Sequence, residues 1–517
     1  MSLVTPSRPS AAPWLGFVAM CVGMFMAILD VQVVATSLPA IQASLGIAPD
    51  QLSWLQTAYL IAEVIAIPLT GYLTRLLTGR WLFVIAIGVF SAASLGCAMS
   101  NSFETLVTWR VVQGFAGGTL IPSVFSAVFV LFPVRSQGLA TTVAGLLAVL
   151  APTVGPIVGG WITETFSWHW LFLINIVPGI LAGIGAASFL PRDKPDPSAR
   201  GALDWLSLLM MAAALASLEI GLKEAPSRGW LSPSVLGLLA ASILMIVGFA
   251  RRTLSSSQPV VDLTTLKDRT FLIGCVLSFV LGIGLFGSVY LMPVFLGFVR
   301  GHNALEIGTI MLVTGVAQLA TAPVAVYLEQ RVDARWLTAA GFVVFALGLG
   351  LSAFQTVSTD FTEMIVPQLL RGVAIMFCLL PPTRLALGAL PLDRVPDASG
   401  LFNLMRNLGG AIGLALVDTV IYGRAAGHGQ DIIAQLTAGN VDTATAIGIP
   451  VALFASRAPG PLDSATQAMV APLVEKAALT LSINEAWALV AILTIAVVAL
   501  LPFTPKPKAG AAAIAAH

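Results

Sequence analysis

WLGFVAMCVGMFMAILDVQVVATSL, residues 14–38, contains one charged side chain, Asp30, in an otherwise uncharged run. An α-helix of about 20 apolar residues is long enough to cross a bilayer core about 30 Å thick. The chain contains about fourteen stretches of this kind, and they fill almost all of it. This repetition predicts an all-α polytopic membrane protein.

The composition supports the same class. Hydrophobic residues make up 57% of the 517 residues and charged residues only 10%, with a mean hydropathy of +0.92. Soluble domains carry about 25% charged residues. The net charge of +1 gives no electrostatic reason to expect a nucleic-acid partner. The four cysteines lie inside apolar stretches without CxxC or Cys/His spacing, so neither disulfides nor a metal site is predicted.

The distribution of Lys and Arg predicts the orientation, because cytoplasmic loops are enriched in them. With the N-terminus inside, 17 basic residues fall on the cytoplasmic side, 6 outside and 3 within spans. Both termini are therefore predicted to be cytoplasmic. The first span holds Asp30, which a cleavable signal core tolerates poorly, so it is expected to remain in the membrane.

An internal repeat divides the chain. PLTGYLTRLLTGRW at residues 68–81 aligns with PVAVYLEQRVDARW at 323–336, both offset by 255 residues without a gap. Two halves of six helices related in this way, parallel about an axis along the membrane normal, describe a known class of transporter. We predict an N-terminal tail at residues 1–13, a first half at 14–190 and two inserted helices at 204–250. A second half follows at 270–504, with an outer loop at about 424–484, and a C-terminal tail at 505–517. An apolar stretch in that loop, 443–456, is expected to lie at the membrane interface.

Four motifs give a family resemblance. LVTWRVVQGFAGGTLIP (residues 106–122) and GPIVGG (155–160) resemble the fourth-helix and fifth-helix motifs of drug:proton antiporters of the major facilitator superfamily. WHWLFLIN (168–175) and SGLFNLMRNLGGAIG (399–413) resemble the fourteen-span EmrB/QacA-like subfamily. The resemblance implies a major facilitator fold with 6+2+6 transmembrane helices, a substrate cavity near the membrane midplane, and a proton gradient as energy source without a bound cofactor.

Two positions depart from the family pattern. Gly71-Tyr-Leu-Thr-Arg75 places Arg where the loop after the second helix usually has an acidic residue, so a role for that carboxylate cannot be carried over. Ala35 stands where the first helix usually has Asn.

Ionisable side chains inside a membrane are expensive, roughly 2.5 to 3.5 kcal/mol at the bilayer centre, and therefore mark candidate function. We predict that Asp30, Glu63 and Arg110 couple transport to protons. The structural alternatives are a residue reaching toward the headgroups for Asp30, a neutral buried acid for Glu63 and a brace between helices for Arg110. Asp418, Arg371 and Arg406 are expected to hold the second half together.

The remaining site predictions rest on helix geometry. Asp30, Gln113 and Gly114 are expected to line the substrate cavity. Proline removes a backbone hydrogen bond and glycine permits close helix approach, so a packing or gating motif is predicted in the fifth helix. A cytoplasmic gate loop is predicted after the second helix. The motif consists of Pro152, Gly155, Pro156, Gly159 and Gly160, and the gate loop contains Gly71, Arg75 and Arg80.

The functional prediction is a proton-coupled antiporter that exports hydrophobic or amphipathic compounds across the bacterial cytoplasmic (inner) membrane. A periplasmic adaptor and an outer-membrane channel are possible partners that the resemblance implies. A transporter of one physiological metabolite or lipid is the alternative, and a membrane receptor or scaffold that moves nothing is a more remote one. An enzyme is not expected, since no nucleotide-binding or nucleophile motif is present.

Overall fold

The computed structural model describes residues 12–46, 54–195, 204–256, 259, 261–388, 390–450, 454, 460–461 and 464–504. The predicted tail 505–517, nearly all of the tail 1–13 and part of the apolar stretch 443–456 lie outside these residues.

Fourteen helices in the described part are long and apolar enough to cross a membrane, which confirms the predicted number of spans. They are α1 Ala12–Leu45, α2 Trp54–Leu77, α3 Gly79–Ala98, α4 Phe103–Leu131, α5 Val134–Thr165, α6 Trp170–Phe189, α7 Trp205–Arg228, α8 Pro233–Ser255, α9 Arg269–Arg300, α10 Ala304–Glu329, α11 Ala334–Phe354, α12 Phe361–Leu387, α13 Val395–Thr437 and α14 Ser464–Ala496, the last continued by 3-10 turns to Phe503.

Local sequence explains several helix starts. Asn303 begins α10 with a capping box, in which its side chain accepts from the Glu306 amide while Glu306 accepts from the Asn303 amide. Asp360 and Glu363 form the same device at α12. Each box satisfies backbone N–H groups that a helix start leaves without an internal partner.

The helices form two six-helix halves and an inserted pair. Helices α1–α6 pack around one hydrophobic core and α9–α14 around another. The inserted helices α7 and α8 pack against each other, and α7 also packs against α2 of the first half and α13 of the second. One side of α7 thus fills the space between the two halves.

The halves pack together at the end that the sequence predicts to be cytoplasmic. Phe271, Val395 and Ala398 of the second half belong to the same buried cluster as the core of the first half. The Ser399 hydroxyl donates a hydrogen bond of 2.9 Å to the Pro122 carbonyl across the junction. This end of the molecule is therefore closed.

The outer region between the last two spans is more helical than expected. Helix α13 continues to Thr437 and α14 begins at Ser464, so much of the predicted loop 424–484 consists of helix extensions. The short helix Val441–Ala446 and the side chains of Ile447, Ile449 and Phe454 pack on these extensions in a separate apolar cluster. The described part of 443–456 therefore folds onto the protein's own helices, because the extensions offer it an apolar surface. Its position at the membrane interface stays a prediction.

Candidate functional site

A fully buried ion pair lies inside the first half. Arg110 of α4 pairs with Asp30 of α1 through Nη1 and Oδ2, and neither side chain is exposed. The Arg110 Nε donates to the Leu55 carbonyl at 3.1 Å, which ties the pair to α2. A buried ion pair is stable only when further hydrogen bonds satisfy its remaining polar atoms.

Amide side chains supply hydrogen bonds to Asp30 and to Arg110 Nη1, whereas Arg110 Nη2 has no hydrogen-bond partner among the described residues. Asp30 Oδ1 accepts from Gln113 Nε2 at 3.0 Å and from Asn175 Nδ2 at 2.8 Å. Gln113 also accepts from Arg110 at 2.8 Å and donates to Ser94 Oγ at 2.8 Å. Each of these partners of Asp30 is a donor, an arrangement that suits a carboxylate anion. The network joins α1, α3, α4 and α6 into one unit.

Small residues bring α2 against α4 beside this network. A Cβ placed at Gly114 would collide with the Tyr59 carbonyl oxygen, and one at Gly118 would lie 3.0 Å from Glu63 Cα. The close approach places the Tyr59 ring 4.3 Å from the Arg110 guanidinium carbon, within cation–π range. Gly114 is thus a packing position that lets an aromatic ring cover the buried arginine.

A cavity of about 490 Å³ separates the two halves. Its lining is mostly apolar and comes from α1, α2, α4, α5 and α7 on one side and from α9, α10, α12 and α13 on the other. The lining includes Gln56, Leu60, Glu63, Pro152, Glu219, Lys223, Leu285, Phe286, Tyr290, Met292, Arg371, Ile375, Asn403, Arg406 and Asp418. Ligand sites are commonly of this size and character, with a few polar groups in an apolar wall.

Charged groups divide between the cavity walls. Glu63 of α2 and Glu219 of α7 lie on one wall, close enough to interact electrostatically. Arg371 of α12 and Arg406 of α13 lie on the other. Toward the outer end, Lys223 stands 4.2 Å above the Trp54 ring.

The structure separates the predicted site residues into two groups. Glu63 lines the cavity, whereas Asp30, Gln113 and Gly114 do not, which corrects the expectation that these three face substrate. The reason is the rotation of α1 and α4, which turn the three residues into the first half, where they bind one another or pack on α2. Arg371 and Arg406, expected to hold the second half together, also line the cavity.

The motif of α5 lies at contacts with two helices. A Cβ at Gly155 would collide with Gln32 of α1, and a Cβ at Gly308 of α10 would lie 3.1 Å from the Ile157 amide nitrogen. Pro152 lines the cavity, while Pro156, Gly159 and Gly160 are buried. Helix α5 therefore packs closely against α1 of its own half and α10 of the other.

The loop predicted as a gate contributes an ion pair between the halves. Arg75 at the end of α2 pairs with Asp397 in the first turn of α13, and a Cβ at Gly71 would collide with the Asp397 carboxylate. We call Arg75 and Asp397 the interdomain latch. Arg80 is placed differently, with Nη1 3.5 Å from the Leu190 carbonyl at the end of α6. The arginine that departs from the family pattern thus has an acidic partner on the opposite half.

Sequence reasoning missed Glu219, Asn175 and Asp397. Glu219 was detectable, because it is an ionisable residue within an apolar span, SLEIGLKE. Asn175 ends the quoted motif WHWLFLIN and was detectable through it, whereas Asp397 gave no comparable signal, since it lies at an apparent span end where polar residues are common.

Comparisons with known proteins agree with this architecture. A profile of the Major Facilitator Superfamily matches residues 20–414. The colistin resistance protein EmrB of Acinetobacter baumannii is 39% identical over 84% of this chain and 85% of its own length. The multidrug export protein EmrB of Escherichia coli K12 is 29% identical over 80% of each chain, and the probable multidrug resistance protein EmrY of that strain is 29% identical over 84% of this chain and 86% of its own.

A solved structure shares the fold. The human organic anion transporter MFSD10 (TETRAN) superposes with a TM-score of 0.60 at 13% identity, covering 94% of this chain and 100% of its own. The relatives are membrane transporters rather than enzymes. The profile match over most of the chain, together with the fourteen spans, means that the protein belongs to the major facilitator superfamily, in its EmrB-like subfamily.

Proposed function

We propose that the protein is a proton-coupled antiporter that exports hydrophobic or amphipathic compounds across the bacterial inner membrane by alternating access. The observation that supports this most directly is the apolar cavity between the halves with carboxyl groups in its wall. The named roles of the relatives in multidrug export and colistin resistance favour export of small molecules.

The closed end suggests where the structure stands in such a cycle. The interdomain latch and the Ser399–Pro122 hydrogen bond close the end predicted to be cytoplasmic. The cavity lining reaches Gln56 and Asp418, which lie toward the other ends of α2 and α13. With both termini in the cytoplasm, as we propose, this arrangement corresponds to an outward-facing state, and breaking the latch would open the route for loading.

Glu63 is the proposed proton carrier. It lies in the cavity wall, where a carboxyl group can exchange protons with whichever side the cavity faces. Tyr59, one helical turn away, covers Arg110 and so connects the cavity wall with the buried Asp30 pair. In this scheme Asp30 and Arg110 hold a fixed charge distribution behind Glu63, while Glu63 releases its proton inward before substrate loads and regains one outside.

The extensions of α13 and α14 between the last two spans suggest a site for a partner protein. We propose that the packed cluster formed by the ends of α13 and α14 and the helix Val441–Ala446 is the docking surface for a periplasmic adaptor that leads to an outer-membrane channel. A truncation that replaces this cluster with a short linker would then abolish co-purification of the adaptor while leaving transport in vesicles intact. Loss of transport without loss of the adaptor would contradict it.

The proposed function is tested in proteoliposomes that hold the purified protein and an imposed pH gradient. A lipophilic cationic dye is preloaded, and its movement is compared with and without an uncoupler. Glu63→Gln, Asp30→Asn and Arg110→Ala are expected to lose uncoupler-sensitive movement. Glu104→Gln is the matched control, because Glu104 is an exposed carboxylate in the first turn of α4.

Two results would reject the proposal. One is dye movement in wild type that does not respond to the gradient, which would remove proton coupling. The other is Glu63→Gln moving dye at the wild-type rate under the same gradient, which would remove Glu63 as the carrier. To separate these from misfolding, each variant is checked for a single symmetric peak in size-exclusion chromatography.

A further inference from the structure

Two arginines in the cavity wall have no acidic partner in the described part of the chain. Arg371 is 3% exposed and Arg406 is 8% exposed, and both line the cavity. Arg371 Nη2 contacts Met292 Sδ at 2.9 Å, and Arg406 Nη2 donates to Asn403 Oδ1 at 2.6 Å. The Nε atom of each has no hydrogen-bond partner among the described residues.

Three other arginines of this chain are paired with carboxylates. Arg110 pairs with Asp30, Arg75 with Asp397, and Arg384 with Glu329 at 3.6 Å. A guanidinium stays charged in proteins and is costly to bury without a counter-charge. Aromatic rings compensate Arg371 and Arg406 only in part, the nearest being Trp487 at 4.9 Å and Phe125 at 5.3 Å, respectively.

The acids of the same cavity do not supply the missing partner. Within the described part of the chain, neither Glu63 nor Glu219 comes within 4.0 Å of a basic nitrogen in a salt bridge, and Asp418 accepts from the Tyr290 hydroxyl at 2.7 Å. Lys223, the remaining basic group of the lining, stands over Trp54. One cavity therefore presents the carboxyl groups of Glu63 and Glu219, here called the acidic wall, and the guanidinium groups of Arg371 and Arg406, here called the basic wall, with no ion pair between them in the part of the chain that the structure describes.

We propose that the cavity binds zwitterionic amphiphiles, with the cationic group of the ligand at Glu63 and Glu219 and its anionic group at Arg371 and Arg406. Such a ligand provides each wall with the opposite charge that the protein lacks. Its apolar part lies along Leu60, Leu285, Phe286 and Ile375. This inference rests on the proposed function, because it names the substrate class of the same cavity.

The arrangement also fits exchange against protons. A ligand cation and a proton compete for the carboxylates, so the cationic group can occupy the acidic wall only when protons have left it. The arginines cannot release a proton near neutral pH and therefore recognise the ligand anion in every state of the cycle. Helix α7 contributes Glu219, which gives the inserted pair a direct role in ligand binding.

Three probes with one tail test the proposal. Radiolabelled 6-phenylhexyl compounds with a carboxybetaine, a trimethylammonium or a carboxylate head are bound to purified protein in a scintillation proximity assay. We expect the carboxybetaine to bind about 10- to 100-fold more tightly than either singly charged probe, the range of one or two charge-assisted hydrogen bonds.

Substitutions then locate each charge. Arg371→Gln and Arg406→Gln are expected to reduce carboxybetaine binding to the level of the trimethylammonium probe and to leave the latter unchanged. Glu219→Gln is expected to weaken both. Arg252→Gln is the control, since Arg252 is an exposed arginine paired with Asp204 away from the cavity. Arg371→Lys and Arg406→Lys keep the charge and are expected to bind the carboxybetaine with intermediate affinity, so the test remains available if a Gln variant fails to fold.

The proposal is overturned if the carboxybetaine binds no more tightly than the trimethylammonium probe, or if the arginine variants affect both probes equally. Binding is measured without a gradient, so it separates this inference from the proposed function. Gradient-driven dye movement without a preference for the carboxybetaine would refute only the substrate class. A clear preference in a protein that moves nothing would refute only the transport function.

Discussion

Neutralising the interdomain latch should open the closed end of the protein. The change is Asp397→Asn, which removes the charge but keeps the side-chain shape that packs on Gly71. The Asp397 side chain is 4% exposed and that of Arg75 is 31% exposed. Breaking a buried pair costs about 3–5 kcal/mol, whereas a surface pair contributes about 0–1 kcal/mol.

The cost of breaking an ion pair falls between these limits when one partner is buried and the other is in partial contact with solvent. We expect a loss of about 1–2 kcal/mol, which corresponds to a change of about 5- to 30-fold in the ratio of closed to open molecules. The loss acts on that ratio because the latch joins the two halves and breaks when they separate at this end. The fold of each half is expected to remain intact.

Distance measurement by pulsed electron paramagnetic resonance reports that ratio. Spin labels are placed at Val134 and Leu392, two exposed positions near the closed end on opposite halves, after the four cysteines are replaced by serine. Asp397→Asn should transfer much of the short-distance population to longer distances. Arg252→Gln, which breaks an exposed ion pair with Asp204 within the inserted helices and not a pair between the halves, should leave the distribution unchanged.

Exchanging the charges provides the decisive comparison. The double variant Arg75→Asp, Asp397→Arg restores opposite charges and should recover most of the closed population. Recovery should be incomplete, because arginine in the first turn of α13 opposes the helix dipole by about 0.3–1 kcal/mol. If the exchanged pair is as open as Asp397→Asn, or if Asp397→Asn remains closed, the latch does not set this equilibrium.

Three further predictions concern stability. Asp30→Asn leaves a fully buried guanidinium without its counter-charge and should lower the free energy of unfolding by about 3–5 kcal/mol, measured by denaturant titration against Glu104→Gln; an unchanged midpoint would contradict it. Gly114→Ala places a methyl group against the Tyr59 carbonyl and should lower the melting temperature, whereas alanine at Gly88, where the added Cβ meets nothing, should not; equal melting temperatures would exclude this packing argument. Burial raises the pKa of Asp360, but hydrogen bonds from Arg300 and His302 outweigh it and lower that pKa from 3.8 to about 2. Wild type should therefore be more stable than Asp360→Asn above pH 3.8, with the difference lost as pH falls through about 2, and a difference that disappears near pH 6 would refute this assignment.

Hydropathy predicted which segments cross the membrane but not where their helices end. The thirteenth span was placed near 397–422, and α13 extends to Thr437. The first was placed at 14–38, and α1 extends from Ala12 to Leu45. The length of an apolar stretch reflects the thickness of the bilayer, whereas the backbone hydrogen bonds of a helix continue beyond that stretch wherever a neighbouring helix supports the chain.

The types of residue that form the candidate site were predictable from the sequence, but the orientation of their side chains was less so. Asp30, Glu63 and Arg110 are intramembrane charges and could be selected from the sequence. Their orientation could not, because spans that are apolar on nearly every face do not reveal which side meets a partner helix. For that reason Asp30 was expected in the cavity and lies behind it. The family pattern drew attention to Arg75, but only the packing of α2 on α13 revealed Asp397 as its partner.

The position of α7 gives the transport cycle three moving parts rather than two. Lys223 of α7 rests on Trp54 at the start of α2, and Trp230, just beyond α7, donates a hydrogen bond of 2.8 Å to Thr419 of α13. In the alternating-access cycle that we propose, one half turns relative to the other, and α7 then changes its contacts with at least one of them at every turnover. The inserted helices thus move against the halves during transport, and the energy barrier to this movement can limit the transport rate without any change in the cavity.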